Sequence, residues 1–167
     1  MSVTINGNGT ISGYTPTAIS GQLAKSNMPS GSIIQYKYAT LTGGEHTADS
    51  DSDSDVPGMS VDISKTNASN LIVCEITFTP YFGGGSTMRM NLKIKRDSTT
   101  IYTKPYGVFR SSGTWKSSEA IMRIVDTGAN DTNSHTYKFT TKREDGSDNM
   151  WFDDDGPHTI TVMEVVA

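Results

Sequence analysis

The stretch "NLIVCEITFTPYFGGGSTMRMNLKIKRD", Asn70 to Asp97, decides the fold. Its second half alternates cleanly. Met88, Met90, Leu92 and Ile94 fall on one side and Arg89, Asn91, Lys93 and Lys95 on the other, which is the period-two signature of a half-buried strand. Its first half, residues 70–82, is near-continuously apolar at the start, which places that strand in the middle of a sheet. Gly83 to Ser86 lies between them and reads as a hairpin loop, so the two halves are expected to pair with each other.

Outward from this stretch the same signals recur. "SIIQYKYATL" (32–41), "MSVDIS" (59–64), "TIYTKPYGVF" (100–109), "HTYKFTTKR" (135–143), "MWF" (150–152) and "HTITVMEVV" (158–166) are rich in β-branched and aromatic residues and are bounded by turn residues. Pro105 puts its strand at a sheet edge or marks a bulge, because proline cannot donate to a ladder. "EAIMRIVD" (119–126) is compatible with helix or strand, and its Ile and Val residues favour strand. "RDST" (96–99) is a turn, and "SSGTWKSS" (111–118) and "TGANDTNS" (127–134) are loops. Eight or so strands and no long helical pattern predict an all-β, antiparallel β-sandwich of jelly-roll type. No internal repeat is visible, which argues against a solenoid or propeller.

Residues 1–30 differ. They are small, polar and punctuated by Gly and Pro, with Val3, Ile5, Ile11, Ile19 and Leu23 as sparse apolar groups. They read as an extended N-terminal arm that docks on another surface through those five residues, with residues 31–167 forming the sandwich.

The chain has 167 residues, 34% hydrophobic and 19% charged, enough for one core and leaner than a typical globular domain. Ser, Thr, Gly and Asn make up the difference. A net charge of −4 argues against nucleic acid, whose phosphates demand a basic footprint. The N-terminus lacks the basic and apolar segments of a signal peptide, and no apolar run approaches the ~18 residues of a membrane span, so no membrane partner is expected. Cys74 cannot form an intrachain disulfide because it is the single cysteine, and it reads as a small buried hydrophobe.

"ADSDSDSDVPG", Ala48 to Gly58, is the most unusual run, with aspartate at 49, 51, 53 and 55. An EF-hand loop starting at Asp51 would place Asp62 at position twelve, but position six is Val56 rather than Gly, Pro57 follows, and no helix flanks it. Four carboxylates on one side of an extended chain repel one another, and either a cation or solvent can relieve them. The run is read as a solvated connector, with Pro57-Gly58 setting the turn into "MSVDIS". Asp153 to Asp155, before Gly156-Pro157, also read as a turn.

No catalytic, metal or cofactor site is expected. His46, His135 and His158 lack ligand spacing, no G-x-S-x-G elbow is present, and "YFGGGST" leads into a strand rather than a helix. Trp115, Tyr106 and Trp151 are candidates for an aromatic sugar platform, against the commoner role of filling the core or a subunit interface. The three Asn-x-Ser/Thr triplets at Asn8, Asn67 and Asn130 are ascribed to chance.

Several segments taken in order resemble a family of phage virion proteins found in marine phages and cyanophages, described as structural or tail-fibre-like. They are "TINGNGTISG" (4–13), "MPSGSIIQ" (28–35), "PGMSVDISKTNASNLIVCEITF" (57–78), "MNLKIKRDSTTIY" (90–102), "HTYKFTTKREDGSD" (135–148) and "HTITVMEVVA" (158–167). Each is a strand-and-turn pattern, and the specificity lies in their shared order over nearly the whole chain. The resemblance implies a jelly-roll sandwich exposed on a virion, synthesised in the host cytoplasm and often homotrimeric. It also implies contacts with other capsid or tail proteins. Host surface glycan is the further partner that the aromatic platform would take. The family carries no catalytic motif. The aspartate run departs from the pattern, where Ser and Thr are usual.

Overall fold

The computed structural model describes residues 4–5, 11–12, 28–42, 46–83, 88–110, 116–117, 119–145, 149–152 and 156–167. The strands in chain order are β1 (Thr4–Ile5), β2 (Ile11–Ser12), β3 (Ile33–Thr40), β4 (His46–Ala48), β5 (Ser54–Ser64), β6 (Leu71–Phe78) and β7 (Pro80–Gly83). They continue with β8 (Met88–Arg96), β9 (Thr99–Arg110), β10 (Lys116–Ser117), β11 (Ala120–Asp126), β12 (Ser134–Asp145), β13 (Asn149–Phe152) and β14 (Thr159–Val165). Every pairing among them is antiparallel.

The ladders fall into an order that names the architecture. One sheet runs β5-β12-β8-β9; a second runs β11-β6-β14-β3; a smaller third runs β10-β7-β13-β4. The third repeats the second column by column, because β10 leads into β11, β6 into β7, β13 into β14 and β3 into β4. Together they are one four-stranded sheet, each of whose chain passages is interrupted once. Eight passages therefore make two sheets. The divided sheet holds the sixth, third, eighth and first passages, and the undivided sheet the second, seventh, fourth and fifth. This is the order of a jelly roll, as expected from the sequence.

The expected hairpin from Leu71 to Arg96 does not form. β6 pairs with β11 and β14 and β7 with β10 and β13, whereas β8 pairs with β12 and β9. The chain crosses from one sheet to the other between β7 and β8. The single long strand expected over 70–82 also breaks, at Thr79-Pro80, where proline cannot donate to a ladder. The central position of β6 and the alternation of β8 hold, with Met90, Leu92 and Ile94 buried. Pro105 lies in edge strand β9 and beside a bulge, since Met90 faces Val108 but Leu92 faces Lys104.

The core lies between the sheets. Ile72, Cys74, Ile76 and Phe78 of β6 and Ile160 and Val162 of β14 meet Met90, Leu92 and Ile94 of β8 and Tyr137 and Phe139 of β12. Phe139 sits 5.2 Å from the Phe78 ring and 6.0 Å, edge on, from Phe152. Cys74 is fully buried, and that burial pushes its thiol up to about 12, so it packs as a hydrophobe.

Pro57 and Gly58 do not make a turn before a strand; both lie inside β5. Pairing with β12 jumps from Lys138↔Ser60 to Thr140↔Asp55, so the intervening residues bulge and bury both Val56 and Met59. Gly58 has φ of 74°, and a Cβ there would collide with the Thr40 carbonyl and with Thr42. Glycine is required on both counts.

Candidate functional site

The outer surface of the undivided sheet is built from charge. Asp51, Asp53 and Asp55 each meet a cation at the surface. Asp53 takes Lys93 Nζ at 2.5 Å and Lys95 Nζ at 2.7 Å, Asp55 takes Lys138 Nζ at 2.5 Å, and Asp51 takes Arg143 Nε at 2.7 Å. Thr140 Oγ1 donates to the second oxygen of Asp55. β5, β8 and β12 present outward residues at the same two-residue spacing, so aspartates at every second position meet a matching row of cations. Burial works against the charged forms of Asp53 and Asp55, yet the lysine ammonium groups outweigh it and hold both below the usual carboxylate range. Arg143 does the same for Asp51. The reading of this run as a solvated connector holds for residues 49–53, which precede β5, with the Asp51 side chain 76% exposed. It is corrected from Ser54 onward, which is strand, and the repulsion among Asp51, Asp53 and Asp55 is offset by this protein's own cations.

A second clasp closes the end of that sheet. Asp97, in the β8–β9 turn with φ of 54°, accepts from Thr136 N–H at 2.9 Å and contacts His135 Nδ1 at 2.7 Å. His135 Nε2 lies 3.0 Å from Asp131. The Asp97 and Asp131 carboxylates raise the His135 imidazole above its ordinary value. His46 and His158 are elsewhere, on either side of Phe152, with ring centroids at 5.7 and 5.4 Å. Burial lowers His46.

The two sides of the sandwich differ. Where edge strands β3 and β5 approach, Gln35 Nε2 donates to Ser64 O, Lys37 Nζ to Asp62 O and Thr42 N–H to Pro57 O. Behind them the buried Glu164 accepts from Gln35, Thr66 and Asn70, while Lys65 Nζ donates to the carbonyls of Ala68, Asn70 and Ala129. Those donors outweigh burial and keep Glu164 below its ordinary value. On the opposite side, between edge strands β9 and β11, a cleft of about 430 Å³ opens. Ile101, Tyr102, Ile124 and Val125 form its walls, with Arg96 beside Asp126. Asp126 Oδ2 accepts from Arg96 Nη1 at 2.6 Å and from the buried Tyr137 hydroxyl at 2.7 Å. Burial opposes ionisation of Asp126, but these donors and Gly128 N–H overcome it.

The outer surface of the divided sheet has the opposite character. Register places Tyr36, Met163, Val73 and Val125 side by side across its four strands, and Ile33, Val165 and Leu71 in the adjacent row across three. Ile33 is 53% exposed, Tyr36 61%, Tyr38 66%, Ile121 57% and Val125 52%. The charges among these rows' neighbours are Glu75 and Arg123, which pair with each other. No sequence motif marks this face. The signal was the unbroken apolar start of β6, which makes a strand apolar on both sides.

The anticipated site residues are not brought together among the described residues. Trp115, Val3, Ile19 and Leu23 lie outside them. Tyr106 is placed only as a position in β9 and Trp151 is half-buried in β13. Ile5 pairs with Ile11 in a ladder that, among the described residues, holds β1 and β2. Among the described residues no His, Cys, Asp and Glu cluster is arranged to hold a metal ion, and no helix is long and apolar enough to cross a membrane.

No family model matches the chain, and no curated protein matches it. Among solved structures it is similar to a chain of T=1 particles derived from infectious bursal virus, with a TM-score of 0.47, 10% identity, and 80% of this chain covered against 36% of that one. It is also similar to a chain of the infectious bursal disease virus Gt strain structure, with a TM-score of 0.45, 11% identity, and coverage of 88% and 42%. This chain thus spans well under half the length of either. The fold class follows from the strand order above and does not lean on them.

Proposed function

We propose that the chain is a virion structural subunit of a phage, a surface fibre, knob or decoration protein. It attaches through its N-terminal arm and exposes the jelly roll. The observation that carries this reading is the inequality of the two outer faces. One is hydrated and its charges are internally paired. The other displays contiguous apolar and aromatic side chains, as a surface that works covered does. The jelly-roll order agrees with the reading without deciding it, since viral capsid proteins, lectins and cupins all use that architecture. The resemblance of segments 4–13, 28–35, 57–78, 90–102, 135–148 and 158–167 to phage virion proteins supplies the choice among them. Assembly as a homotrimer belongs to the proposal, because a lean core gains buried area from neighbouring copies.

The test is incorporation. A chain lacking residues 1–25 should stay out of purified particles while the full-length chain enters them. Equal incorporation of both would sink the arm's role, and absence of both from particles would sink the assignment. Light scattering on the isolated chain checks the trimer.

A second reading, a receptor- or glycan-binding tip module, draws on the cleft between β9 and β11, where Tyr102 offers an aromatic wall beside the Arg96 guanidinium. It expects Tyr102→Ala to weaken glycan or cell binding at unchanged melting temperature. Unchanged binding removes it.

A further inference from the structure

The outer face of the divided sheet is open in the single chain, since Tyr36, Tyr38, Ile121 and Val125 stay more than half exposed with every residue of the chain present. Its size bears on what covers it. Four strands at ~4.8 Å spacing, and the eight residues of β3 at ~3.3 Å each, give roughly 500 Å² in plan. Two such faces laid on each other hide about 1,000 Å², the scale of a specific but weak contact between proteins. A contact of that kind is open in dilute solution and closes where copies are held close together.

The register shows which partner fits. Beside the Tyr36–Val125 row runs a second, Tyr38–Thr161–Glu75–Arg123, and beyond it a third that begins at Thr40 and ends at Ile121. The exposed aromatic rings therefore stand on β3, at one edge of the sheet, and exposed aliphatic side chains on β11, at the other. A twofold axis along the strands, between two of these faces, sets β3 over β11 of the second copy and β14 over its β6, with every row in step. Tyr36 then meets Val125 of the second copy. Tyr38 meets its Arg123, a guanidinium over a ring. A twofold axis across the strands instead sets β11 on β11 and turns each exposed Arg123 toward the other. These rows hold one acid and one base, Glu75 and Arg123, paired at 2.6 Å, so the face carries no net charge to repel its own copy. Each copy supplies the aromatic edge and the aliphatic edge that the other needs.

We propose that the outer face of the divided sheet binds the same face of a second copy about a twofold axis along the strands, with Tyr36 and Tyr38 of each packed on Val125 and Arg123 of the other. The inference rests on the reading of this face as one that works covered, and it supplies the cover. A twofold contact is distinct from the contacts within a trimer, so it links one proposed trimer to the next.

The test uses the full-length isolated chain, so it fails or succeeds independently of virion incorporation. p-Benzoylphenylalanine replaces Tyr36, and unlabelled and heavy-isotope-labelled chains are mixed, so that crosslinks between copies are recognised by mass. The mixture is irradiated at rising protein concentration. Crosslinks into residues 120–126 of a second copy are expected, in a yield that rises with concentration. Ile121→Lys combined with Val125→Lys should cut that yield at least tenfold at unchanged melting temperature, and Tyr38→Ser, which leaves β11 intact, should cut it severalfold. Crosslinks confined to residues 33–40 of the second copy would overturn the axis and with it the proposal. Crosslinks into residues 1–27 would give the face to the arm instead, and absence of any crosslink between copies at the highest concentration would remove the second copy as occupant.

Discussion

The two outer faces of this sandwich are made by the same kind of strand on the same core, yet they solve opposite problems. On the undivided sheet, Asp53, just before β5, sits between Lys93 and Lys95 of β8, and Asp55 of β5 sits beside Lys138 of β12, so its acids and bases meet across the strands. On the divided sheet, β3, β14, β6 and β11 place Tyr36, Met163, Val73 and Val125 in line. The first face is complete in water. The second keeps large apolar side chains more than half exposed. The difference teaches that burial inside the sandwich accounts for only one side of each strand. The other side records what the domain is meant to touch.

The comparison presumes that both faces stand on one core, and the largest expected effect tests that. Phe139 is fully buried against Phe78 and Phe152. Phe139→Ala should cost about 3–5 kcal/mol and still melt in a single transition by denaturant titration. Two separate transitions would mean that the sheets fold independently. Next, Asp53→Asn removes the shared partner of Lys93 and Lys95 and should cost ~0.5–1 kcal/mol at low salt, shrinking as salt screens the remaining charges. A loss that does not change with salt would show that the comb acts through packing.

The His135 clasp gives a pH-dependent handle on the charged face. His135 is raised by Asp97 and Asp131, so its contribution is fully present below its ordinary value of about 6.5 and is lost as pH rises through the raised folded value. Both aspartates are lowered, by Thr136 N–H and His135 for Asp97 and by Asn133 N–H and His135 for Asp131. Their share is present above about pH 3.9 and is lost as pH falls through their folded values. The melting temperature should therefore fall as pH rises from about 6.5 through the raised folded value of His135, and less so in His135→Asn. Equal slopes would remove the clasp. The smallest effect belongs to the apolar face. Tyr36→Ser should shift stability of the sandwich by no more than ~0.5 kcal/mol, because a surface side chain carries little folding energy. A larger loss, read from the same denaturant curve, would make Tyr36 part of the core rather than of a docking face.

Much of this fold was legible in the sequence, and its limits have physical causes. Alternation in "TMRMNLKIKRD" gave the buried set of β8, and Pro105 gave an edge strand with a bulge, because both signals are local. The Leu71–Arg96 hairpin failed because a glycine loop between two strand patterns says nothing about which sheet each strand joins. In a jelly roll, neighbours in the chain cross between sheets while distant strands pair, as β6 does with β14 and β8 with β12. The ion pairing of the aspartate run was missed for the same reason. Its partners Lys93, Lys138 and Arg143 lie far along the chain and become adjacent only through sheet register. Pro57-Gly58 has the composition of a turn, and only the close approach of Thr40 and Thr42 reveals a bulge. The apolar outer face was half visible in Leu71 to Cys74, which signalled a central strand but not that its half-buried outward side chains lie beside exposed Tyr36 and Val125.

The central claim is that the divided sheet's outer face is covered in the proposed virion while the charged face meets water. Hydroxyl-radical footprinting of the chain, isolated and in purified particles, tests it most directly. Tyr36 and Tyr38 are 61% and 66% exposed, and Tyr102, at the cleft on the far edge, is 37% exposed. The account predicts that particles slow the oxidation of Tyr36 and Tyr38 severalfold relative to the isolated chain. Equal oxidation of both tyrosines in the two states would contradict it.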